Sequence, residues 1–195
     1  MGKKIVLGAI VAGIVVFIWG AVSHMVLGLG EAGVKSLPNE EAVLPVLSAN
    51  ISEPGFYFFP GLDMGAATKE QMDAWTEKHR TGPAGIMVYQ PIGGEPMPPS
   101  KLITELVTNI LAALVAAFLL AKVVSSLGGL FGKAVFVAAI GLFAGLEIDL
   151  SYWNWYKFPT SYTLAYMFDH VVAWFLAGLV LAWFFKKPAA SQPAM

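Results

Sequence analysis

The chain has 195 residues, 57% of them hydrophobic and 13% charged, against the roughly 25% charged that a soluble globular domain carries; so much apolar surface calls for lipid rather than a water-facing shell. The net charge is −1 and the 12 basic residues are spread along the chain, which leaves no basic stripe for nucleic acid. Cysteine is absent, excluding disulfides, thiolate metal sites, iron–sulfur ligation and dithiol exchange.

In chain order, the first apolar run is Ile5 to Leu27, unbroken by charge and long enough for the ~20 residues that a membrane span needs. Ala21-Val22-Ser23 has the small residues of a signal cleavage site, but the run exceeds the ~7–15 residues of a signal-peptide core, so an uncleaved anchor is expected. Residues 31–100 are too long for a plain connector and read as a small folded insertion. In it, Asn39 is a candidate helix cap with Glu40 and Glu41 complementing the helix dipole, although Pro45 would strain the interior. Gly55 to Phe59 and Gly85 to Gln90 are fenced by Pro54, Pro60 and Pro91 and read as two strands able to pair. Between them Thr68-Lys69-Glu70-Gln71 fits a capping box, which opens a helix over Lys69 to Arg80 that Gly82-Pro83 closes. The proline-rich stretch Gly93 to Pro99 is a stiff connector into the next span.

Three more apolar segments follow, Leu102 to Ala121, Ala134 to Leu150 and Ser161 to Phe185, each bounded by Lys or Pro. The expected fold class is an all-α membrane protein, a four-transmembrane-helix bundle with a small α+β extracytoplasmic insertion between helices 1 and 2. Its expected parts are the first transmembrane helix in 1–30, the outer loop domain in 31–100, helices 2–4 in 101–187 and a cytoplasmic tail in 188–195. Lys3, Lys4, Lys122, Lys133, Lys186 and Lys187 flank the spans on the side of the termini, in short segments where positive charge governs insertion. Both termini are therefore expected to be cytoplasmic. Residues 31–100 carry nine acidic and four basic residues. Small residues recur at four-residue spacing, as in Gly8 and Ala12, Ala113 and Ala117, Gly141 and Gly145, and Gly178 and Ala182, a pattern that lets helix backbones approach closely in lipid. Tyr152, Trp153, Trp155, Tyr156 and Tyr162 suit an outer aromatic belt.

Polar residues inside the spans are the functional lead, because a charge near the bilayer centre costs at least ~2.5–3.5 kcal/mol. They are His24, Glu105, Asn109, Glu147, Asp149, Asp169 and His170. At ~1.5 Å per residue, His24 lies about 30 Å from Lys4, Glu147 about 21 Å from Lys133 and His170 about 24 Å from Lys186, so all seven fall in the outer half. Glu105 and Asn109 share a helix face. His24, His170, Glu147 and Asp169 are the candidate cofactor-binding residues. His24 and His170 are candidate ligands of a metal or haem, and a quinone is the third candidate. Asp149 and Glu105 lie within reach of the interface, while interhelical hydrogen bonding is the commoner fate of an intramembrane histidine, with Asp169 as a neighbour to shield His170. The chain has no Glu-x-x-His pair, Gly-x-Ser-x-Gly elbow, Walker loop or His-Glu-x-x-His motif. No catalytic residue is assigned and an enzyme is unsupported. No polar path continues into the inner half and no halves repeat, which disfavours a transporter.

The stretch Ser151-Tyr152-Trp153-Asn154-Trp155-Tyr156-Lys157-Phe158-Pro159, with Phe17-Ile18-Trp19-Gly20 and Pro54-Gly55-Phe56-Tyr57, resembles a group of uncharacterised four-span bacterial membrane proteins. The resemblance implies a multi-pass protein of the bacterial inner membrane and carries no activity. The expected function is that of a non-enzymatic accessory or scaffold subunit of a larger membrane assembly, with a membrane-protein partner or a second copy besides the lipid bilayer. The alternative is a metal-, haem- or quinone-binding membrane protein that uses the outer polar cluster.

Overall fold

In the computed structural model, residues 2–186 are described; Lys187 and the expected tail over 188–195 lie outside them. Four helices are long and apolar enough to cross a membrane: Gly2–Val26, Pro99–Val123, Gly129–Tyr156 and Thr160–Phe184. The third exceeds its expected bounds most, starting at Gly129 rather than Ala134 and running past Leu150 to Tyr156. Lys133 is tolerated inside a helix end because its long aliphatic stem lets the ammonium reach water.

The elements are α1 (Gly2–Ala21), α2 (Glu40–Asn50), β1 (Gly55–Phe59), α3 (Lys69–Thr81), β2 (Gly85–Tyr89), α4 (Pro99–Val123), α5 (Gly129–Ala144), α6 (Leu150–Tyr156) and α7 (Thr160–Phe184). Two spans contain a widened, π-helical turn: Val22–Val26 ends the first and Gly145–Asp149 joins α5 to α6. In the first, the Leu27 amide donates to the Val22 carbonyl at 3.0 Å, and Gly28 then turns the chain at φ +68°, a left-handed conformation that glycine adopts without a Cβ penalty.

The chain divides into two compact units. The first comprises the residues up to Val34, Met97–Asn154 and the chain from Phe158; the second comprises Lys35–Pro96 with Trp155–Lys157. In the first unit α7 packs against both α1 and α5, and α1 also packs against α4. The small-residue spacing makes these approaches possible. A Cβ on Gly13 would lie 2.6 Å from Ile110 Cα, one on Gly178 2.7 Å from Ala134 Cα, and one on Gly141 2.5 Å from the His170 carbonyl oxygen. Ala9, Ala12, Ala113, Ala116, Ala117, Leu120, Val137, Ala177 and Leu181 are buried together around these crossings. Lipid gives helices no hydrophobic reason to associate, so close van der Waals packing of this kind is what holds them.

In the second unit β1 and β2 pair antiparallel, with Gly55 opposite Tyr89 and Phe59 opposite Gly85. The expected capping box is present. Gln71 N–H donates to Thr68 Oγ1 at 3.3 Å, and the Thr68 amide donates to Gln71 Oε1 at 2.8 Å. Hydrogen bonds from its own backbone amide and from Thr68 hold the Glu70 carboxyl below the ordinary carboxylate range. Trp75 Nε1 donates to the Pro60 carbonyl at 2.9 Å, tying α3 to the end of β1, and Phe56 and Phe58 meet Tyr156 edge to face. The Asn39 cap is a correction. Asn39 sits at φ +50° and makes no side-chain cap bond, so the dipole partners Glu40 and Glu41 stand in the first turn without it. Pro45 is accommodated inside α2. None of residues 35–96 is buried, so this unit rests on local hydrogen bonds and partly covered aromatics rather than a dry core.

Candidate functional site

Trp19 projects from the last full turn of α1 and His24 from the widened turn that follows. Both meet Asp169 of α7. Trp19 Nε1 donates to Asp169 Oδ1 at 2.7 Å, and His24 Nε2 stands 3.7 Å from Asp169 Oδ2, the first a strong hydrogen bond and the second longer than one. An indole N–H inside a span has no water to satisfy it, so a carboxylate on the facing helix is a natural partner.

The other imidazole has a different partner. His170 Nδ1 is hydrogen-bonded to Asp149 Oδ2 at 3.0 Å, and the Asp149 side chain is only 9% exposed. This corrects two expectations. Asp149 was expected within reach of the interface and is buried between helices. Asp169 was expected to shield His170, but successive helix residues point about 100° apart, so the shielding carboxylate comes from the neighbouring span. Gly145 lies beside it: a Cβ there would come into ordinary contact with Asp149 Oδ2 at 3.4 Å and closer, at 3.1 Å, to Met167 Cγ. The widened turn also sorts its two carboxylates, for Glu147 is exposed where Asp149 is buried.

Tyr166 meets both imidazoles edge-on, with ring centroids 5.6 Å from His24 and 6.5 Å from His170, and Tyr162 stacks on it at 4.2 Å. Tyr162, Tyr166 and His170 thus form a stripe at four-residue spacing down one face of α7.

These groups border a cavity of about 620 Å³, within the ~300–1,000 Å³ range of small-molecule sites. His24, Glu105, Asn109, Asp169 and His170 line it together with Trp19. Asn109 Nδ2 donates to Glu105 Oε1 at 3.1 Å, as their shared face on α4 anticipated. Of the seven predicted polar residues, five therefore reach one cavity; Asp149 supports His170 from behind, and Glu147 is not among the lining residues. Among the described residues no group of three or more His, Asp or Glu is arranged to hold a metal ion. The histidines fall instead into two separate His–Asp pairs.

Sequence reasoning missed Trp19, Tyr166 and Trp174, which also line the cavity. Trp19 carried a signal, since a tryptophan deep in a span must find an acceptor for its N–H. The i, i+4 spacing of Tyr162, Tyr166 and His170 carried another. Trp174 carried none beyond its apolar surroundings.

No family model, curated protein or solved structure matches the chain.

Proposed function

We propose that this chain is a membrane-embedded binding protein for a lipid-soluble small molecule with a polar head. The observation that carries the reading is the cavity of about 620 Å³ among the apolar helices, where hydrogen-bonding side chains from α1, α4 and α7 come together with aromatic walls. Mostly apolar walls with a few convergent polar groups are the usual make-up of a small-molecule site. Intramembrane ionisable residues are otherwise costly to keep. Paired His–Asp groups suit hydrogen bonding to an organic molecule better than closure of a metal's coordination sphere, so an organic ligand fits better than the metal anticipated from sequence. An accessory subunit presenting residues 35–96 to a partner is the other reading of the same topology, and the cavity favours ligand binding over it.

Gly20 provides the test. It lines the cavity, and a Cβ there meets nothing within 4 Å, so a side chain can start from this position, and Gly20→Phe is expected to occupy the cavity. Solvent extraction of purified wild-type protein followed by mass spectrometry should yield a lipid-soluble molecule in near-stoichiometric amount, and Gly20→Phe should lose most of it at unchanged thermal stability. Equal recovery from both proteins would refute the reading.

The arrangement in which this site works is a four-helix bundle in a bacterial inner membrane, both termini cytoplasmic and residues 35–96 outside. It is supported by the lysines at one end of the spans and by the resemblance to four-span bacterial proteins. The cysteine-free chain gives a direct check. A single cysteine at Gly93 should react with an impermeant thiol reagent on intact cells, and one at Gly128 should react only after lysis. Both positions are open to a side chain. Labelling of Gly128→Cys from outside would overturn the orientation.

A further inference from the structure

The charge of the cavity wall narrows the ligand class. Among the described residues two carboxylates, Glu105 and Asp169, and two imidazoles, His24 and His170, line the cavity, and no Lys or Arg does. Lys101, one turn before Glu105, is not among the lining residues. At short range Glu105 accepts from the Asn109 amide at 3.1 Å and Asp169 from the Trp19 indole at 2.7 Å, while His24, also in the cavity wall, stands farther off, 3.7 Å from Asp169 Oδ2. Asp149 differs, because it faces His170 directly at 3.0 Å and lies behind the cavity wall. The remaining wall includes the aromatic residues Phe17, Trp19, Tyr166 and Trp174; an aromatic ring carries the negative end of its quadrupole on its faces.

Acidic oxygens and π-faces attract the same kind of group. A cation on aromatic rings gains more when it is desolvated, and in a medium of low dielectric constant its attraction to a carboxylate far exceeds the value in water. A neutral head gains neither. Resting on the binding function proposed above, we infer that the molecule held in this cavity is a lipophilic amine, its ammonium group seated between Glu105, Asp169 and the aromatic wall. Free amphiphilic amines and the amino headgroup of a phospholipid share this chemistry.

The experiment uses the full chain in nanodiscs of phosphatidylglycerol, which has no ammonium group. Equilibrium binding is measured for dodecyltrimethylammonium and for an uncharged decyl-benzoquinone. The cation should bind at least about ten-fold more tightly than the quinone, a difference of about 1.4 kcal/mol. Asp169→Asn, which keeps an acceptor for Trp19, and Glu105→Gln, which keeps one for Asn109, should each weaken cation binding by about ten-fold and leave quinone binding within about two-fold. Glu105 is exposed, so its variant reads out charge even if Asp169→Asn folds poorly. Competition by added phosphatidylethanolamine would assign the site to a headgroup amine, and absence of competition to a free amine. Cation and quinone binding equally, in wild type and variants alike, would overturn the amine inference and leave the binding function standing. Failure of both probes would also overturn it, with the binding function then judged by the Gly20→Phe extraction.

Discussion

Gly141→Ala should destabilise the protein by about 1–3 kcal/mol, the usual cost of forcing extra volume into a packed contact, and Gly13→Ala should do the same. At Gly141 the added methyl would meet the His170 carbonyl oxygen at 2.5 Å and Trp174 Cδ1 at 2.7 Å, and at Gly13 it would meet Ile110 Cα at 2.6 Å. Backbone cannot rotate away as a side chain can, so α5 must move off α7, or α1 off α4. Gly132→Ala is the control, since nothing lies within 4 Å of its Cβ and alanine is the better helix former by about 1 kcal/mol. Reversible unfolding in mixed detergent micelles measures all three. If Gly141→Ala proves as stable as Gly132→Ala, the helices do not approach as described. Gly141→Ala should also disturb ligand binding, because the carbonyl it displaces belongs to a residue of the cavity wall.

The second large effect concerns the buried pair behind that wall. Asp149→Ala should cost about 1–2 kcal/mol, near the upper end for an interhelical hydrogen bond in a membrane protein, where the mean is ~0.6 and the maximum ~1.7 kcal/mol. The high placement follows from burial: the 9% exposed carboxylate cannot be replaced by water, so His170 Nδ1 is left without its partner. Asp149→Asn retains an acceptor at the same reach and should recover more than half of the loss. Chemical denaturation of the three proteins decides the matter. Equal destabilisation by Ala and Asn would show that the side-chain hydrogen bond is not what Asp149 contributes.

The four spans were legible because an unbroken apolar run has few alternatives to a helix in lipid, and the α3 cap because Thr68 and Gln71 stand at a spacing with a specific geometric meaning. The convergence of His24, Asp169 and His170 was legible from depth alone, since residues at one level of neighbouring helices have few other places to go. Partner choice was not. Helical periodicity assumes 3.6 residues per turn, and the widened turns at Val22–Val26 and Gly145–Asp149 break that phase where His24 and Asp149 sit. Depth along the helix, from which Asp149 was read as within reach of the interface and Glu147 as part of the cluster, carries no information about the face on which either side chain emerges. The Asn39 cap failed for a more local reason: a side chain can cap only from an extended backbone, and Asn39 is left-handed. The absence of a dry core from residues 35–96 was hidden by their aromatic content, since Phe56, Phe58 and Val88 look like core residues in sequence and are exposed.

The residues buried where the helices cross are alanine, valine, leucine and phenylalanine, from Ala9 and Ala12 through Ala117 and Leu120 to Ala177 and Leu181. The ionisable groups of the cavity all lie toward the other end of the helices. Among the described residues of that packed cluster there is no titratable side chain. Moving one charge across a whole bilayer is worth ~2.3 kcal/mol per 100 mV; a charge held beside Glu105 and Asp169, toward one end of the spans, would cross only part of such a field.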